Sequence, residues 1–210
     1  MRKFLVIPFM LLTPLTFAAT STEMGVDGKI TPAACDIAIA DANFDFGSSI
    51  ALNPTGETLL PVSTGHPMSI ACTGPAYVGF RGIDNRSGTS TGGNIRYGLG
   101  TDGAGNKIGW YRIIMLNPSA NGGTGYVKYS ANLTTWTTLA GTNAGDLNTF
   151  TGSNTTYAVN PTNNGTAPPQ AITSASLDLT VTPTIAPRNT LDTNNAINLD
   201  GSATIELVYL

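Results

Sequence analysis

The chain has 210 residues, of which 10 are Lys or Arg and 13 are Asp or Glu, for a net charge of −3. No basic stripe is present, so the electrostatic footprint of a nucleic-acid binder is missing. Only 11% of residues are charged, which leaves little material for the solvated faces of helices. The abundance of Gly, Thr, Asn and Ser suits strands joined by polar turns.

The first segment reads as a secretory leader. Arg2 and Lys3 precede an apolar run from Phe4 to Leu12, broken only by Pro8, and Thr16 and Ala18 offer small residues before a cut after Ala18. The run is too short to span a bilayer, and no later segment reaches that length. A signal peptide over 1–18 predicts export. Its removal takes Arg2 and Lys3 away and leaves a mature charge of about −5. The remaining chain suits one domain with a sizeable core.

Elements follow by the period-2 rule for half-buried strands. Met24, Val26 and Ile30 alternate around Gly28, a strand pattern close to the mature N-terminus, in an extension expected over 19–30. Phe44 and Phe46 alternate before Gly47. Met68 and Ile70 lead into Cys72, and a Gly74-Pro75 turn separates them from a strand over Tyr77–Phe80. Gly98-Leu99-Gly100-Thr101-Asp102-Gly103 matches the glycine fingerprint for dinucleotides. That fingerprint needs a following helix, and here turn residues continue, so a hairpin loop is expected. A long apolar and aromatic run covers Lys107–Leu116, a short one Tyr126–Tyr129, with a turn at Asn121-Gly122-Gly123 between them. Residues 131–171, rich in Thr, Asn and Gly, read as long loops or edge strands. Leu177, Leu179 and Val181 alternate with polar partners. The last strand places Ala203, Ile205, Leu207 and Tyr209 on one face and runs to Leu210, an apolar end that something has to cover. No helical period follows the leader. Many short strands with dense turns predict an all-β sandwich or barrel in a single domain over 31–210.

Cys35 and Cys72 are an even pair in an exported chain and are expected to be bonded. Closing that loop is worth about 4 kcal/mol. The alternatives are two free thiols or part of a metal site, and the lone His66 completes no zinc shell with them at a usual spacing. No serine or cysteine has a local base and no carboxylates are paired, so no catalytic residue, metal or cofactor is assigned. Trp110 and Trp136 are candidate sugar-stacking residues, with core packing as the plainer role.

Three stretches together resemble the chaperone–usher pilins of Gram-negative bacteria. The first is the alternating extension in which Gly28 precedes Cys35 by seven residues, with Ala33-Ala34 before the cysteine. The second is Phe44-Asp45-Phe46-Gly47 followed by Ser69-Ile70-Ala71-Cys72. The third is Ala203–Leu210 with its penultimate Tyr209. The stretch from Gly88 to Ala171 departs from the common pilins and looks like a divergent fimbrial-operon branch.

The resemblance implies an immunoglobulin-like β-sandwich of pilin type, incomplete because it lacks its seventh strand. It implies a structural subunit of a fimbrium, exported through the periplasm to the cell surface and supporting adhesion. Its expected partners are a periplasmic pilus chaperone, an outer-membrane usher and neighbouring subunits. Met24, Val26, Gly28 and Ile30 would form the donor strand. Ala203, Ile205, Leu207 and Tyr209 would wall the acceptor groove, and the carboxylate of Leu210 would be the chaperone's handle. The alternative expectation is a carbohydrate- or host-binding surface module.

Overall fold

The computed structural model describes residues 21–30, 32–139 and 143–210; the leader expected over 1–18 lies outside them. The chain divides into two units, residues 1–32 and 33–210. In the first, residues 21–30 form neither helix nor strand, and Met24, Val26 and Ile30 are exposed. The strand predicted there is therefore not formed within the single chain. A strand must exchange its N–H and C=O groups with a partner, and an apolar alternation supplies none by itself.

The second unit is an all-β sandwich. Its strands in chain order are β1 (Cys35–Ile39), β2 (Thr58–Leu59), β3 (His66–Ala76), β4 (Val78–Asp84), β5 (Tyr97–Gly98) and β6 (Gly109–Ala120). There follow β7 (Gly123–Thr124), β8 (Tyr126–Ser130), β9 (Thr137–Thr138) and β10 (Asn143–Asp146), a single helical turn α1 (Phe150–Ser153), β11 (Thr156–Asn160), β12 (Ile172–Ile185) and β13 (Ala203–Tyr209). One sheet runs β1-β3-β12-β6-β10, with β2 beside β12 and β5 and β7 beside β6. The other runs β13-β4-β11-β8-β9. The strand pairs are antiparallel, as in β12 on β6, where Val181 faces Ile113 and Pro183 faces Tyr111.

Alternation decides what enters the core. From the first sheet come Met68 and Ile70 of β3, Ile113 and Met115 of β6, and Leu177 and Leu179 of β12. The second contributes Phe80, Val127, Tyr157 and Val159. Each such side chain, fully buried, is worth about 1.5–3 kcal/mol. The bridge expected between Cys35 and Cys72 is formed and joins β1 to β3 at a directly paired position.

Within the sandwich, further elements depart from the sequence-based expectations. Gly74-Pro75 is not a turn: β3 continues through it to Ala76, and β4 starts after Tyr77 alone. The pairing of β3 with β12 shifts register between Ile172 and Ser174, and such a bulge is where a strand tolerates Gly and Pro. Phe44 and Phe46 lie in irregular backbone rather than a strand, though both are half-buried. Residues 131–171 are not only loops and edges, since β11 lies between β4 and β8 with all five residues buried. Its polar ends are satisfied locally: Asn160 donates to Thr162 O at 2.6 Å and accepts from Gln170 N at 2.7 Å. Fully buried Lys128, on neighbouring β8, donates to Thr138 Oγ1 and Gly165 O. Polar composition suggested exposure, but hydrogen bonding inside the covering loop made burial possible.

Candidate functional site

β1 is an edge of the first sheet and β13 an edge of the second. They meet at one point, where the Cys35 N–H donates to the Tyr209 hydroxyl at 2.8 Å. Away from that contact the irregular segments next to them, 41–52 after β1 and 193–202 before β13, line a groove along the seam of the sandwich.

The groove has two compartments. The first, of about 290 Å³, has Ile39, Phe44 and Phe46 on one wall and Leu199, Ala203 and Ile205 on the other, over a floor of Tyr111, Ile113, Leu179 and Val181. The second, of about 660 Å³, continues between Ile50 and Leu52 and Ile197, over Ile108 and Ile185. Asn43, Phe44, Phe46 and Leu199 line both and stand between them.

The backbone of the walls is unusual. Along 42–52 the Gly47 N–H reaches its neighbour Asp45 Oδ1, and no other backbone group of that stretch is bonded to a described residue. Nor is any backbone group of 195–199. Among the described residues β13 is paired on one side only, with β4. Apolar floor and unpaired main chain on both rims are the two things an added strand needs: pockets for alternate side chains and free N–H and C=O groups.

Both walls are nevertheless held in place. His66 Nδ1 donates to Asp41 O, and its ring lies 4.3 Å from that of Phe44, so this histidine braces the first wall. The second wall is tied at both ends. Arg86 forms an ion pair with Asp200 at 2.6 Å, and the guanidinium holds the Asp200 carboxyl below the usual range. At the other end Asp102 Oδ2 accepts the Asp192 N–H at 2.7 Å. Asp102 lies in the hairpin expected from the glycine-rich stretch, confirmed by the bridge between Thr101 and Lys107.

The amide of Asp192, then the side-chain amide of Asn106, pull the Asp102 pKa from 3.8 to about 2. Because the folded value lies below the unfolded one, the tether is intact above about pH 4 and is lost as pH falls towards 2. An NMR titration of the Asp102 carboxyl should show a midpoint near 2. A midpoint at the ordinary value of 3.8 would rule out the tether.

The predicted site residues divide. Ala203 and Ile205 line the groove, and Leu207 packs half-buried against the core. Tyr209 does not take its expected place in the wall: it is 55% exposed, and its hydroxyl caps the closed end of the seam. Leu210 is partly exposed, and its N–H donates to Tyr77 O. Met24, Val26, Gly28 and Ile30 are exposed in the other unit. The two tryptophans differ: Trp136 offers no stacking face, whereas Trp110 is half-buried. Trp136 is 1% exposed, with its indole N–H on Leu133 O at 3.2 Å. Trp110 has Gly92 so close that a Cβ there would lie 2.6 Å from the ring, and the Arg96 guanidinium 5.5 Å from its centre. Sequence reading missed Tyr111, Ile197 and Leu199 as site residues. The signal was present, since the odd-numbered alternation of the last strand extends back through Leu199 to Ile197.

The fold and this groove define a class: an all-β, disulfide-bonded sandwich with an apolar seam whose rims are unpaired. Among curated proteins the chain is similar to Protein GltF of Escherichia coli (strain K12), with 27% identity over 231 aligned positions, 91% of this chain and 89% of that protein. No family model matches the chain, and no solved structure matches it.

Proposed function

We propose that the chain is a structural subunit of a chaperone–usher fimbrium, exported through the periplasm to the cell surface, where it supports adhesion. Its groove accepts an extended strand, lent first by a periplasmic chaperone. An outer-membrane usher then oversees its replacement by the N-terminal extension of a neighbouring subunit. Donor-strand complementation between chaperone and pilin is an established case of recognition by strand addition, and the same mode is assigned to this groove. The observation that carries the reading is the pairing of an apolar groove floor with two rims of unpaired backbone. Residues 24–30 are this chain's own version of the donor: Met24, Val26 and Ile30 present an exposed apolar row, and Gly28 would pass between Phe44, Phe46 and Leu199, where the two compartments meet. The sugar-binding alternative gains no support from Trp136, which is a packing residue in this fold.

The test is binding of a fluorescent peptide of residues 20–32 to the mature chain, residues 19–210. Saturable binding is expected, with Gly28→Trp in the peptide abolishing most of it. A stable monomer that ignores the peptide would sink the proposal and leave a self-sufficient sandwich.

A further inference from the structure

Tyr111 is out of keeping with the rest of the groove floor. Its neighbours there, Ile113, Leu179 and Val181, are aliphatic. It is 6% exposed, and its hydroxyl makes no hydrogen bond with any described residue. The hydroxyl of Tyr97, stacked on it with ring centres 5.1 Å apart, is also unpartnered but is shut away from solvent. That of Tyr111 is not among the sealed atoms, and the residue borders the open compartment.

The ring is also fixed in position. Tyr97 stacks on it, and Gly201 of the second wall lies so close that a Cβ there would come within 2.9 Å of Tyr111 Cε1. The charged groups nearby are already engaged: Asp84 accepts the Arg86 and Gly98 amides, and Arg86 is on Asp200. Burial, reinforced by the Asp84 charge, pushes the Tyr111 phenol up, so it stays a neutral O–H able to donate and accept. A buried hydroxyl left without a partner is costly, whereas one that meets a partner on binding repays part of that cost.

Resting on the strand-acceptor reading above, we propose that Tyr111 is a specificity-determining residue of the groove, its hydroxyl hydrogen-bonding one inward-facing Ser, Thr or Asn of the incoming strand. The favoured occupant is therefore a strand of mixed design. It carries apolar residues at its other inward positions and a single hydroxyl or amide over Tyr111, between the Phe44 and Ala203 walls. The inward row Met24, Val26, Gly28 and Ile30 of this chain's own extension has no such group, so its own extension is a weaker occupant than a neighbour's strand that has one. Discrimination of this kind is strong for its size, because the strand that lacks the polar group leaves the phenol unpaired.

The experiment compares peptides that each place one hydroxyl at a different inward position. Labelled 20–32 peptides carrying Met24→Thr, Val26→Thr or Ile30→Thr, together with Gly28→Ser and the unaltered peptide, are titrated with the mature chain. That chain carries Gly28→Trp so that its own extension does not compete. In an apolar pocket a buried threonine hydroxyl should weaken binding roughly tenfold relative to valine. At the one position over Tyr111 the loss should vanish or become a gain. Tyr111→Phe, which keeps the ring and its stacking, should restore the roughly tenfold penalty at that position and leave the other peptides unchanged. If Tyr111→Phe leaves the order of the peptides unaltered, the inference is overturned. If none of the peptides binds either protein, the strand-acceptor reading itself falls, a result distinct from loss of selectivity among peptides that do bind.

Discussion

A chain that carries residues 20–32 after Leu210, joined by a short flexible turn, should melt more than 10 °C above the unfused chain. β13 ends at Tyr209, and its free edge borders the groove, so a strand returning after a tight turn would run antiparallel beside it. Three side chains, Met24, Val26 and Ile30, would leave water for the groove at about 1.5–3 kcal/mol each. Main-chain bonds to the unpaired rims would add to this, and ordering the strand would offset part of it. A net gain of several kcal/mol at about 2–4 °C per kcal/mol for a domain of this size gives the stated shift. Differential scanning calorimetry reads it directly. Two controls separate strand addition from a general effect of a longer chain. Gly28→Trp in the fused strand should lose most of the gain by placing a bulky side chain between Phe44 and Leu199, and Met24→Asp with Ile30→Asp should lose it through buried charge. Equal melting temperatures for fused and unfused chains would show that the groove does not take this strand.

Removing the disulfide should have an effect of similar size and opposite sign. Cys35 and Cys72 are 37 residues apart in sequence and directly paired across β1 and β3. Opening that loop in the unfolded chain is worth about 4 kcal/mol in the chain-entropy account. At about 2–4 °C per kcal/mol, Cys35→Ala with Cys72→Ala should lower the melting temperature by roughly 8–16 °C. The loss has a local consequence as well. Among the described residues β1 has no hydrogen-bonded strand on its other side, and the Cys35 N–H holds Tyr209 at the closed end of the seam. Hydrogen exchange in the double variant should therefore rise first along β1 and at the end of β13, ahead of β12 and β6 in the centre of the sheet. Uniform exchange with an unchanged melting temperature would mean that the bridge adds nothing to the hold of β3 on β1.

Much of the chemistry was legible without the fold. Leu177, Leu179 and Val181 enter the core as their alternation required. The turn at Asn121-Gly122 has both residues in the left-handed region, with φ of 51° and 76°, as Asn-Gly favours in hairpins. The cysteine pair and the glycine-rich hairpin also followed from local rules. Two kinds of feature did not. Gly74-Pro75 looked like a turn because the same residues that make turns are tolerated at bulges, and only the partner strand β12 decides between them. Residues 131–171 looked too polar to hold a buried strand because the partners of Asn160, Thr162 O and the Gln170 N–H, come from the segment that follows β11, which no pattern within the strand reveals.

The order of residues alone determined that the chain forms strands, which faces of them are apolar, that its cysteines pair, and that residues 24–30 and 203–209 carry strand-like alternation. These are properties of nearest and next-nearest neighbours, set by backbone sterics and by period-2 burial. Tertiary structure decided that the alternation from Ile197 to Ile205 walls a groove, that Phe44 and Phe46 face it from the other side, and that Tyr111 lies in its floor. Those positions are far apart in the chain and come together only when β1 and β13 become edges of different sheets. Whether an edge is left open depends on how many strands reach it, and that count belongs to the folded sandwich as a whole.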